Sequence, residues 1–213
     1  MNPVRNNSAQ QNVDKPQASR VSEGMNPVRS ETSNGMKLHL GCGHIILPGF
    51  IHIDIDSCPH LDYRRDASDL SIFEDNSVEL IYASHVLAYF DREQVKDVLA
   101  EWKRVLVSGG ILRLADRDFS QLSAIYQKYG DLEPLLGYLY TLDKVDGKPT
   151  YLTNIYDYKY LKSLLKNAGF TKIRRWDWRK NYHGNYPDGS QAHYLPTPEE
   201  RVLISLNIEC KKP

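Results

Sequence analysis

The chain holds 213 residues, with 27 basic and 27 acidic side chains and a formal net charge of zero. One domain is the default at that length, and about 68–75% of the unfolded chain's surface can be buried. The even balance gives nothing to favour DNA or RNA, no apolar run approaches the roughly 18 residues that cross a bilayer, and the start lacks a signal-peptide core.

Cys42, Cys58 and Cys210 are odd in number and far apart, without a C-x-x-C pair. They fit a reducing cytoplasm and speak against a zinc site or a disulfide framework. Residues 1–35 are rich in Asn, Ser, Gln, Pro and Arg and contain no aromatic side chain. Such a segment buries too little apolar area to offset its ordering entropy. The reading is a disordered leader over 1–35 and one folded domain over 36–213, starting at the methionine that precedes the first strand.

Leu38 to Asp56, LHLGCGHIILPGFIHIDID, opens that domain. An alternating apolar run turns on Gly41 and Gly43 and returns as a second run tipped by acids. Glycines let a backbone approach a ligand where a Cβ would clash, and a strand-tip carboxylate can accept ribose hydroxyls. A dinucleotide fingerprint needs a third glycine and an acid about 20 residues on. Here Ile46 stands in the third position and Asp54 follows Gly43 by 11 residues. That leaves too little chain for a full crossover helix, which with its loops needs at least about 10–12 residues. The pattern disfavours a nicotinamide oxidoreductase and suits a phosphate-free nucleoside cofactor.

Further strands are predicted near 61–65, 78–83 and 111–115, after those near 37–40 and 51–54. Asp91-Arg92-Glu93-Gln94 forms a capping box. Behind it Val95, Val98, Leu99, Trp102, Val105 and Leu106 recur at helical spacing, and Gly109-Gly110 closes that unit. Helices near 120–129 and 133–141 follow. Asp157 caps another, with Leu161, Leu164, Leu165 and Ala168 facing inward and Gly169 as its stop. Thr171–Trp178 and Val202–Glu209 complete the strands. The alternation argues a mainly parallel sheet.

Arg65-Asp66-Ala67-Ser68, the strand Val78–Ala83 followed by Ser84-His85, and Arg104–Leu114 extend the glycine turn into a longer pattern. With them the chain, from Lys37 to about Lys212, resembles the class I S-adenosylmethionine-dependent methyltransferases. It looks most like a small bacterial-type branch associated with surface-polysaccharide genes. The resemblance implies a three-layer Rossmann-like fold with a mostly parallel seven-stranded sheet and an antiparallel last strand. It also implies S-adenosylmethionine as cofactor. The glycine turn would meet the methionine half, Asp54 the ribose, and the Asp66-Ala67 pair the adenine. The candidate cofactor-binding set is Gly41, Cys42, Gly43, Asp54, Ile55, Asp66, Ala67 and Ser84. The branch usually reads L-E-H where this chain has Leu87-Ala88-Tyr89, and P-G-G where it has Ser108-Gly109-Gly110. The first departure leaves a second reading open, a cofactor-binding but inactive partner subunit.

Methyl transfer asks the protein to align acceptor and methyl and to exclude water. A hydroxyl acceptor also needs a base. His85, expected at the carboxyl end of the fourth strand, is the first candidate, with Asp116 next and Asp118 beside it. The bland alternatives are a His that packs against adenine or caps a helix, and acids that merely solvate a loop. Asp56 reads as a turn cap and Cys42 as a small buried filler. His39 and His52 are expected to point away from the core, and the spacing of His183 and His193 matches no metal pattern. Eleven of the 14 tyrosines lie between Tyr126 and Tyr194. With Asp188-Gly189-Ser190-Gln191-Ala192 they suggest a small or sugar-like acceptor, methylated at oxygen. The connection Tyr182–Pro198 is expected to cover that acceptor.

Overall fold

The computed structural model describes residues 35–140, 143–145, 147–181 and 187–213. The predicted leader, apart from Gly35, lies outside the described residues, as do Tyr182, His183 and Tyr186.

Seven strands form one sheet: β1 (Met36–Leu40), β2 (Ile51–Asp54), β3 (Tyr63–Arg64), β4 (Val78–Ser84), β5 (Leu106–Arg117), β8 (Thr171–Arg175) and β11 (Ser205–Lys211). Their order across the sheet is β3-β2-β1-β4-β5-β11-β8. The pairs from β3 to β5 are all parallel, while β11 runs antiparallel to both β5 and β8. Two short antiparallel pairs lie outside it, β6 (Asp143–Val145) with β7 (Lys148–Thr150) and β9 (His193–Tyr194) with β10 (Val202–Leu203). The helices are α1 (Gln94–Val105), α2 (Phe119–Tyr129), α3 (Glu133–Tyr140) and α4 (Tyr158–Asn167).

The period-two alternation of the strands sorts their side chains between two different faces. Leu38, Leu40, Ile53, Ile81, Leu112 and Leu114 point to one, where they meet Val98, Leu99 and Trp102 of α1 and Leu161 and Leu165 of α4. Asp91 and Gln94 make the reciprocal capping box that their spacing foretold. Asp91 Oδ1 accepts the Gln94 N–H at 2.9 Å, and Gln94 Oε1 accepts the Asp91 N–H at 3.0 Å. Asp157 caps α4 through the Tyr160 N–H at 2.7 Å.

The opposite layer is thin. Leu47, Tyr82, Ala115 and Trp176 pack there with Ile45, Phe50 and Trp178. The segment 42–50 and short 3-10 turns at Trp178–Lys180 and Gly189–Gln191 cover it, with no α-helix in that cluster. No helix joins β1 to β2, as the 11-residue spacing required. His39 and His52 do leave the main core, but they are buried in this second layer at 2% and 6% exposure. They point away from the main core as expected, and their partners in the second layer account for their burial. His39 lies 5.3 Å from the Tyr82 ring, and His52 Nε2 accepts the Leu47 N–H at 2.9 Å.

Glu209 of β11 is buried on the same face and bonds Arg113 at 3.0 Å and Arg174 at 2.6 Å. Burial alone would push its carboxyl up, but the two guanidiniums outweigh that and hold it below its ordinary 4.5. Glu209→Ala removes the carboxylate that Arg113 and Arg174 share and is expected to cost about 2–4 kcal/mol, less than a fully buried pair because Arg174 is exposed. Thermal unfolding at pH 7 measures the loss. The folded group stays ionised to lower pH than the unfolded one, so the difference from wild type persists above about pH 4.5. It shrinks as the pH falls further.

Candidate active site

The carboxyl ends of β1, β2 and β4 meet at the glycine turn. Gly41 and Gly43 have φ of +59° and +52°, a region that L side chains rarely adopt. A Cβ on Gly41 would sit 2.2 Å from Val86 Cγ2, whereas one on Gly43 would meet nothing within 4 Å. Crowding therefore fixes the first glycine, and the second opens the turn toward a ligand. Asp54 ties the turn to β2. Its Oδ2 accepts the Gly43 N–H at 2.7 Å and its Oδ1 the Asp56 N–H at 2.9 Å. Each oxygen takes one donor among the described residues, so both keep capacity for a ribose hydroxyl. Asp56 contributes its backbone N–H, and its own carboxylate caps Ser57.

Beyond Asp54 the apolar side chain of Ile55 is 45% exposed. Asp66 is exposed at the end of β3, where it orders Ser68 through the backbone N–H at 2.8 Å and the hydroxyl at 2.6 Å. Ala67 is buried, and its carbonyl accepts the Trp102 indole N–H at 2.7 Å. Core residue Trp102 thus positions the Asp66-Ala67 pair. Cys42 is buried beside His60, at 3.7 Å. Burial, with Asp54 nearby, pushes its thiol up to about 12, which suits a filler and not a nucleophile. A glycine turn open at Gly43, an acid with free lone pairs and an apolar flank at Ile55 fit an adenosine-type cofactor.

The structure gives His85 and Asp116 different surroundings. His85 follows β4 with φ +58°, and its Nε2 faces the Gly189 carbonyl at 3.1 Å. Burial, helped by the Arg117 guanidinium, lowers the imidazole to about 4. Asp116 is 2% exposed near the end of β5. Its Oδ1 accepts the Arg117 N–H at 2.8 Å, and its Oδ2 completes no well-aligned hydrogen bond among the described residues, with the Ala88 backbone nearby. Burial pushes this carboxyl up to about 6, against the pull of Arg117. Asp118 is also buried, and it is a helix cap: it holds Ser120 of α2 and pairs with Arg175 at 3.3 Å. Neither acid is the solvated loop residue of the bland reading.

A cavity of about 650 Å³ opens on this edge, lined by Arg92, Phe119, Tyr140, Thr153, Asn154 and Tyr160 among others. Its wall is tied to the Leu87–Tyr89 turn, because the Thr153 and Asn154 N–H groups both donate to the Ala88 carbonyl, at 2.9 and 3.0 Å. Ala88 and Tyr89 bring no charged group here, yet the turn they form props this wall. The part of the long connection that is described, 187–198, is docked on the sheet: Asp188 bonds the Tyr82 hydroxyl and Gly189 touches His85. The sequence reading did not single out Arg117 or Asn154, because an Arg and an Asn in loop-like contexts carry no motif. Among the described residues no group of three or more His, Cys, Asp or Glu is arranged to hold a metal, and no helix is long and apolar enough to cross a membrane.

Residues 54–114 match a family described as Methyltransferase domain. No curated protein matches the chain. Among solved structures, a methyltransferase from Methanosarcina mazei is 18% identical with a TM-score of 0.50, over 84% of this chain and 93% of its own. One from Archaeoglobus fulgidus is 15% identical with a TM-score of 0.51, over 84% and 87%. A protein from Pyrococcus horikoshii is 16% identical with a TM-score of 0.50, over 84% and 82%. At these identities the likeness is one of fold. The methyltransferase-domain match over 54–114, set in this sheet and beside this glycine turn, supports S-adenosylmethionine-dependent methyl transfer on a Rossmann-like methyltransferase fold.

Proposed function

We propose that the protein transfers a methyl group to an oxygen of a small, sugar-like acceptor in a reducing, cytoplasmic setting, within surface-polysaccharide synthesis. The observation that carries the acceptor side is the aromatic and polar cavity at the carboxyl edge, with Phe119, Tyr140 and Tyr160 as ring faces and Thr153 and Asn154 as polar edges. The unit that does this is 36–213.

The cofactor supplies an electrophilic methyl on a sulfonium, so the chain's own task is binding, alignment and proton removal. Gly41, Cys42 and Gly43 would hold the methionine half with Ser84 nearby. Asp54 would accept the ribose hydroxyls, Ile55 would pack on the adenine, and Asp66 and the Ala67 N–H would bond its edge. Asp116 is assigned the base. Its carboxyl at about 6 is ionised at pH 7 and still basic enough to take a hydroxyl proton as it is displaced. His85, the first candidate on sequence, is assigned positioning of the 188–191 turn, since its Nε2 faces the Gly189 carbonyl.

Calorimetric titration with S-adenosylhomocysteine and with NAD, run beside transfer of labelled methyl to pooled nucleotide-sugars, tests the reading. Binding of the first but not the second ligand is expected, with label recovered in a sugar. Cofactor binding with no label transferred to any pool would favour the inactive partner subunit. Binding of NAD alone would overturn both.

A further inference from the structure

The end of β5 holds a guanidinium that no carboxylate bonds among the described residues, although the Asp116 carboxylate feels its charge. Arg117 Nε and Nη1 are buried and have no hydrogen-bond partner among the described residues. The hydroxyls of Ser84 and Ser190 are buried too and complete no well-aligned hydrogen bond among the described residues, with the Tyr82 hydroxyl beside both. Strand register brings these groups together. Ala115 is flanked by Ser84 on β4 and Asn207 on β11, and Arg117 lies one pleat further on the same face, opposite Ser205. The 3-10 turn at 189–191 crosses above them. A Cβ built on Gly189 would lie 2.9 Å from Ser84 Oγ and 2.7 Å from His85 Nε2, and the Ser190 carbonyl accepts the Asn207 amide at 2.9 Å.

Two acids of the neighbourhood are committed elsewhere. Asp118 pairs with Arg175, and Asp188 holds the Tyr82 hydroxyl and the Ser190 N–H. Asp116 takes the Arg117 backbone N–H, and its side chain falls on the opposite face of the strand. A buried guanidinium without a partner is among the costliest groups to retain in a fold. Buried donors left unpaired together at a ligand-binding edge point to an acceptor that arrives from outside.

We propose that Arg117, with Ser84 and Ser190, forms an anion site that takes a carboxylate brought in by one of the two reactants. The inference rests on the reading of this edge as the reacting site. The charge count selects the class. Arg117 is always cationic, His85 stands neutral beside it, and the remaining donors are uncharged hydroxyls. One guanidinium, with the Asp116 carboxylate on the far face of the strand, suits a singly charged carboxylate better than a phosphate dianion. Two reactants can carry one: the methionine half of the cofactor, or an acidic sugar acceptor such as a uronic acid.

The test uses the full chain as wild type, Arg117→Gln and Arg117→Lys. Calorimetry compares S-adenosylhomocysteine with 5′-methylthioadenosine, which keeps the nucleoside and thioether but lacks the carboxylate. Melting of the S-adenosylhomocysteine complex is then followed with D-glucuronate, against glucose. If the cofactor brings the carboxylate, wild type prefers S-adenosylhomocysteine by at least about tenfold, some 1.4 kcal/mol. Arg117→Gln then erases most of that preference. If the acceptor brings it, the preference survives, while glucuronate stabilises wild type and Arg117→Lys but not Arg117→Gln. Either result supports the site and names its source.

Unchanged ligand preference together with an unchanged glucuronate response in Arg117→Gln would overturn it. So would a lower melting temperature of the ligand-free Arg117→Gln protein, since the site predicts equal or higher stability once an unpaired charge is removed. A wild type that binds neither nucleoside would refute the methyltransferase reading instead. Glucuronate on the ligand-free protein would then still decide the anion site.

Discussion

Asp54→Ala is expected to weaken S-adenosylhomocysteine binding by about 10- to 100-fold. A hydrogen bond to a charged group contributes roughly 1.5–3 kcal/mol, and 1.4 kcal/mol is about tenfold in affinity. The loss has two parts. The ribose acceptor disappears, and the Gly43 N–H, 2.7 Å from Asp54 Oδ2, is released so that the turn loses its tie to β2. Asp56→Ala should do much less. Asp56 supports Asp54 through its backbone N–H, which the substitution keeps. Titration calorimetry on both variants separates them, and equal losses would show the ribose assignment to be wrong.

Asp116→Asn should lower kcat by about 10²- to 10⁴-fold, the range typical of a removed general base. The change is nearly isosteric, so the buried site stays filled and S-adenosylhomocysteine affinity should be unaltered. The acidity of the group gives a second signature. A base with a pKa of about 6 must lose its proton before it can act, so the wild-type rate should climb as pH rises through 6 and then level off. That limb should be missing from the residual rate of Asp116→Asn. Both are measured with the acceptor recovered from the nucleotide-sugar pools. A variant of near wild-type rate would remove Asp116 from the chemistry.

Much of this site is local in sequence and was legible there. The glycines, Asp54 and the Asp66-Ala67 pair lie within 27 residues of chain; strand alternation and turn chemistry pointed to the glycines and Asp54, and the family resemblance to the pair. The capping box at Asp91 and the helix cap at Asp157 depend on neighbours a few residues away and formed as their spacing required. What escaped were features set by distant partners. Gly109-Gly110 reads as the close of a helix-to-strand unit, but α1 ends at Val105 and β5 runs through the pair from Leu106 to Arg117. Long pairing with β11 on one side and β4 on the other extends it past the local signal. His39 and His52 look solvent-facing because a two-sided sheet was not visible from alternation alone. Their burial comes from Tyr82, Phe50 and the segment 42–50, which fold over them. The half-buried guanidinium of Arg117 belongs to the same class, since nothing nearby in sequence says that its Nε and Nη1 will be covered.

The place of β11 has a consequence for how the chain is made. Strands β1 to β5 can pair as they emerge, each beside one already present. Strand β8 cannot, because β11 is its neighbour in the sheet and comes some 30 residues later. Through that interval α4 and β8 hang beside an open edge of β5, which is long and largely apolar on its inner face. Unpaired edges of that kind invite pairing with the wrong strand or with another chain. When β11 arrives it wedges between the two, closes both edges in one step and carries Asn207 and Ser205 into the reacting edge. Completion of the catalytic wall and sealing of the sheet are thus the same event on the ribosome's timetable.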